Sequence, residues 1–154
     1  MIVLTIPGPP FSQKRHRVDM RGGFARAHDD KRNISWKGSA QVHMLRAMGD
    51  RQPFDEPIRV TIVAGFEMPK GRCLKRSLRP AEWNQSQKDV DNIAKAVLDA
   101  GNGILYVDDR RVAELLVQKV TLEQGVAPSV RVTVEALGEM TVVKAGWTNE
   151  EEDA

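Results

Sequence analysis

The chain has 154 residues, 41% hydrophobic and 29% charged, with a net charge of +2 and one cysteine, Cys73. That length sustains one domain with a proper core, and a lone cysteine excludes a disulfide framework or a thiolate zinc site. No apolar run approaches the roughly 18–20 residues that span a bilayer, and MIVLTIPGPP reads as a strand rather than a secretory leader. A reducing, cytoplasmic home is expected.

The small net charge hides an uneven distribution. Residues 12–37 hold eight Lys or Arg against three Asp, and residues 70–88 hold six against Glu82. Residues 139–154 carry five acids against Lys144. Two basic segments point to a polyanionic partner, and the acidic end reads as a frayed tail outside a domain of residues 1–138.

In chain order, Ile2, Leu4 and Ile6 alternate with Val3 and Thr5, a strand ended by Pro7-Gly8-Pro9-Pro10. A basic loop follows. Trp36, Ala40, Met44 and Met48 fall four apart, predicting a helix over residues 33–48 that stops at Gly49. Ile58, Val60, Ile62, Ala64 and Phe66 alternate with polar partners, a second strand. Residues 68–88 form a long basic connection, and a connection of that length inside a compact domain is functional or disordered.

Residues 92–100 predict a second helix, with Val90, Ile93, Ala94 and Val97 on one side and Asp91, Lys95 and Asp99 opposite, ended by Gly101 and Gly103. After Asp108-Asp109, residues 112–122 read as an interior strand. Leu116, Gln118, Val120 and Leu122 share one face, and Leu115, Val117 and Lys119 the other. Val130, Val132, Val134 and Ala136 mark a last, half-buried strand. The expected fold is α+β: two helices packed on a mixed sheet of four or five strands.

Asp89, Asp91, Asp99, Asp108 and Asp109 crowd one stretch between basic segments. Acid at a polyanion-binding surface is counterproductive unless a cation sits between carboxylate and phosphate. Asp89 and Asp91, two apart in extended backbone, face one way. Their mutual repulsion is relieved by a hard divalent cation such as Mg²⁺ or Mn²⁺. Asp109 or Asp108 could close the site from the next element, and Lys95 could reach it from one turn past Asp91. The bland reading also stands: Asp91 caps the helix, Asp89 complements its dipole, Lys95 pairs with Asp91, and Asp108-Asp109 is a turn.

The run K-D-V-D-N-I-A-K-A-V-L-D-A-x-N-G-I-L-Y-V-D-D-x-x-V-x-E-L is similar to the signature of RusA-family Holliday junction resolvases. IPGPPFSQKRHR resembles that family's first strand and basic loop, and VRVTVEAL its closing strand, so the likeness spans residues 2–137. It implies a homodimeric, Mg²⁺-dependent endonuclease that resolves four-way DNA junctions by paired nicks, in recombination and repair, often phage- or prophage-borne. It further implies Asp89, Asp91 and Asp109 as essential carboxylates and Lys95 as the essential lysine. Asp108 matches the neighbouring acid. Where relatives carry Ala-Leu-Asn-Gly, this chain has Ala100-Gly101-Asn102-Gly103.

Phosphate contacts are expected from Lys14, Arg15 and Arg17 in the first basic segment. Lys70, Arg72, Lys75, Arg76, Arg79 and Lys88 supply them from the second. Trp36 is expected in the core, and Trp83, in the basic connection, is a candidate for touching DNA. Neither membrane nor small-molecule cofactor is expected. Two rivals stay open: a non-catalytic branched-DNA-binding module, and a D-x-D nuclease acting on flaps or RNA–DNA hybrids.

Overall fold

The computed structural model describes residues 1–13, 31–86 and 88–138. Five strands and two helices fill them: β1 (Ile2–Pro7), α1 (Lys31–Met48), β2 (Ile58–Phe66), β3 (Glu82–Trp83), α2 (Val90–Gly101), β4 (Val112–Thr121) and β5 (Ser129–Ala136). Short 3-10 turns cover Lys70–Arg72 and Asp109–Arg111.

The sheet order is β1-β5-β2-β4-β3. Only β2 and β4 run parallel; β1–β5, β2–β5 and β3–β4 are antiparallel, so the sheet is mixed and the fold α+β, as expected. A parallel pair needs a crossover, and α2 lies within it. Alternation decides which face is inside. Ile2, Leu4 and Ile6 align with Val134, Val132 and Val130, and these align with Val60, Ile62 and Ala64. All nine are buried against the side where α1 and α2 pack.

On α1 the predicted row is realised: Ala40, Met44 and Met48 are buried, and Trp36 packs at the core margin, stacked on Phe11 at 5.7 Å. Gly49, at φ 55°, ends the helix. On α2 the buried side is Ile93, Ala94, Ala96, Val97, Ala100 and Gly101, whereas Val90 stays exposed. Gly101 is the helix's last residue rather than its stop. The left-handed turn falls on Gly103, at φ 76°. Tyr106 explains Gly101: its hydroxyl donates to the Leu98 carbonyl at 2.8 Å, and a Cβ on residue 101 would stand 2.9 Å from that hydroxyl.

The interior position expected for β4 holds only in part. β3 pairs with Val120 and Thr121 alone, so from Val112 to Gln118 no described strand covers the outer edge. Leu115 and Leu116 on that stretch are 45% and 50% exposed. The basic connection is more ordered than its composition indicates. The Gln124 side-chain amide binds Leu74 both ways, at 2.8 and 3.0 Å, and its backbone N–H meets the Arg79 carbonyl.

Candidate active site

The extended backbone of Asp89 turns into α2 at Val90, which puts Asp89 at the N-cap and Asp91 in the first turn. Both are exposed. Asp89 makes no side-chain capping bond; among the described residues its carboxylate accepts only from the Asn92 amide, at 3.3 Å. Thus the residue at the cap is Asp89 rather than Asp91, and it does not do a cap's work. Lys95 is exposed one turn beyond Asp91 and makes no ion pair among the described residues.

Two lysines fix the approach to this end of α2. Lys119 Nζ donates to the carbonyls of Lys88 at 2.6 Å and Ser86 at 2.8 Å. Lys88 Nζ donates to the Pro10 carbonyl at 2.6 Å and lies 5.4 Å from the centre of the Phe66 ring. The Lys88 ammonium is therefore occupied in tying the exit of β1 to the entry of α2. Gln13, buried, adds a backbone bond to the Asn92 carbonyl at 3.1 Å. Lys119 was legible as a lysine sharing a strand face with Leu115 and Val117, the mark of an ammonium turned inward.

Asp109 stands elsewhere. It opens the 3-10 turn just before β4, whereas Lys119, near the other end of β4, holds Lys88. At ~3.3 Å per residue the seven steps from Val112 to Lys119 cover about 23 Å, and the twelve residues of α2 span about 18 Å. Asp109 thus belongs with the C-terminal end of α2, where its charge and that of Asp99 add to the burial that pushes the Tyr106 phenol far above its usual range. Asp108 is engaged locally. It accepts from Arg110 N at 3.0 Å and Arg110 Nε at 2.8 Å, and these bonds hold its carboxyl below the ordinary range.

The donor set is carboxylate oxygen throughout, which suits a hard divalent cation. Among the described residues of one subunit, however, no three acids, histidines or cysteines gather closely enough to hold one. Two of the three principal carboxylates share one end of α2, and the third stands at the other.

Of the basic residues, Lys70 and Arg72 lie in the first 3-10 turn, and Arg72 pairs with Glu82 at 2.6 Å. Lys75 and Arg76 are exposed, and Arg79 is half-buried. Lys14, Arg15 and Arg17, like the acidic tail, lie outside the described residues. No described helix is long and apolar enough to cross a membrane.

Comparison with known proteins agrees with the signature. The family model for endodeoxyribonuclease RusA matches residues 7–135. An uncharacterized protein of Bacillus subtilis (strain 168), YqaN, is 30% identical over 134 residues, covering 80% of this chain and 89% of its own. With a nuclease family's model matched over most of its length, the chain belongs to the RusA endodeoxyribonucleases, a family of Holliday junction resolvases.

Proposed function

We propose that the protein is a Mg²⁺-dependent, structure-selective endonuclease that nicks four-way DNA junctions as a homodimer, with each metal site completed across the subunit boundary. The observation that carries this reading is the exposed pair Asp89 and Asp91, with the exposed Lys95 one turn on, at the end of a helix whose far end holds Asp109. One subunit falls a carboxylate short. A second, related by a two-fold axis, makes up the deficit twice over.

The edge of β4, which no described strand covers from Val112 to Gln118, supports that arrangement. An exposed edge strand with adjacent leucines is a pairing surface that proteins normally cover. Antiparallel pairing with a second copy, centred on Leu115, sets Val112 against the partner's Gln118. It uses the uncovered stretch from end to end and stops where β3 begins. In that register the partner's Asp109 is carried toward the Lys119 end of β4, beside Asp89 and Asp91.

Asp89, Asp91 and the partner's Asp109 would hold Mg²⁺ or Mn²⁺. Bound there, such an ion supplies Lewis acidity, acidifying a coordinated water and drawing charge from the phosphoryl oxygens. Lys95 meets the negative charge that builds on the phosphate, and Lys75 and Arg76 hold flanking phosphates. In-line attack by water breaks the P–O3′ bond and leaves a 5′-phosphate and a 3′-hydroxyl that a ligase can seal. Two symmetric sites deliver the paired nicks a junction needs for resolution in recombination and repair.

The test compares a synthetic four-way junction, a flap and a plain duplex, with and without Mg²⁺, for wild type and Asp91→Asn. Mg²⁺-dependent nicking of the junction, lost in a variant that still binds it, is the expected result. Unchanged nicking by Asp91→Asn contradicts the catalytic assignment, and preferred cleavage of the flap contradicts the substrate.

A further inference from the structure

Trp83 is 69% exposed, although an indole is the costliest side chain to leave in water. Nothing in the fold requires it there: its strand is two residues long, and its partner Val120 is only half-buried. Yet the segment that carries it is firmly pinned. Asn84 N donates to the Lys119 carbonyl at 3.0 Å, and the Asn84 side chain bridges Thr121 Oγ1 and Ser86 N, both at 2.9 Å. Lys119 then holds Ser86 and Lys88, so Trp83 is fastened through a few bonds to the entry of α2.

Beside the indole lies a cavity of about 460 Å³, lined by Pro69, Arg72, Trp83, Asn84, Gln85 and Thr121, among others. We propose that this cavity takes an unpaired nucleobase of branched DNA, stacked on Trp83, close to the strand being cut. The inference rests on the nuclease reading above and adds a subsite to it. A base has a flat apolar face for the indole and a polar edge for the exposed Gln85 amide, which makes no hydrogen bond among the described residues. Its phosphate falls within a basic segment: Arg72, braced by Glu82 at 2.6 Å, stands in the wall, and Lys70, Lys75 and Arg76 occupy the same connection. That charge favours a nucleic acid over an apolar protein partner. Trp83 and Asp89 are six residues apart, at most about 20 Å. The accepted base is therefore within a few nucleotides of the scissile phosphate. Bases at a crossover are the least securely stacked in the DNA, so the subsite discriminates junction from duplex.

The experiment uses the full chain with a four-way junction carrying 2-aminopurine at successive positions near the crossover, and a plain duplex as control. Wild type is expected to change the fluorescence at one position. Trp83→Ala abolishes that change and weakens junction binding about tenfold to a hundredfold, with duplex binding unaltered, and Trp83→Phe restores most of both. A Trp83→Ala variant that binds and reports like wild type overturns the subsite, as does an equal loss on junction and duplex. The nuclease reading fails separately: a Trp83-dependent signal without Mg²⁺-dependent nicking upholds the subsite and removes the catalysis, while nicking without the signal does the reverse.

Discussion

The Lys119 ammonium lies 2.6 Å from the carbonyl oxygen of Lys88, so a strand on the sheet fixes the backbone one residue before Asp89. The same ammonium holds Ser86. Lys119→Met keeps the stem and removes both bonds. Small misplacements of reacting groups are costly, so nicking should fall about tenfold to a hundredfold, while junction affinity stays close to wild type. Single-turnover rates beside equilibrium binding check this; equal losses in both would show that Lys119 acts on DNA itself.

Lys75 and Arg76 are exposed, on the connection between β2 and β3. Lys75→Ala/Arg76→Ala is expected to weaken binding to every DNA form alike. It should also flatten the plot of log affinity against log salt by about 1.8, the loss of two phosphate contacts. Titrations across a salt series measure it, and an unaltered slope removes this connection from the interface.

Gly101 faces a space already taken, with the Tyr106 hydroxyl at 2.9 Å and Leu105 Cδ1 at 3.2 Å from where a Cβ would sit. Gly101→Ala should therefore destabilise by about 1–3 kcal/mol, although alanine is by about 1 kcal/mol the better helix former. The larger side chain of Gly101→Leu should do worse. Adding Tyr106→Phe removes the nearest atom and should recover part of the loss, which urea midpoints of the two singles and the double will show.

Tyr106 is the single tyrosine in the sequence, and burial raises its pKa above the ordinary 10.0. A raised value means the fold prefers the protonated phenol. Its contribution is complete below pH 10.0 and is lost as pH climbs further, because the unfolded chain ionises first. Above about pH 10 wild type should lose stability more steeply than Tyr106→Phe. Tyrosinate absorbance should appear only as the protein unfolds. Ionisation at pH 10 with the fold intact would contradict it.

The strands β1, β2 and β5 were legible because each has one face under the helices, so alternation in the chain mirrors burial. β3 was not, since two residues carry no period and are held by pairing with Val120 and Thr121 of another strand. Charge counting placed Lys88 among the phosphate contacts, but a count cannot tell that its ammonium turns inward to Pro10 and Phe66. The separation of Asp91 from Asp109 was implicit: a helix lies between them, and its length is the distance to be bridged. What spacing could not reveal is the edge of β4 left uncovered by the described strands, which depends on how short β3 is.

Subunit mixing tests the shared site most directly. Asp91→Asn and Asp109→Asn should each be inactive as homodimers. In a heterodimer, one site inherits both substitutions and the other inherits neither. Co-refolding the two inactive variants should thus restore Mg²⁺-dependent nicking of a four-way junction, confined to one strand per dimer. If the mixture stays as inactive as its parents while heterodimers demonstrably form, the carboxylates do not meet across the boundary.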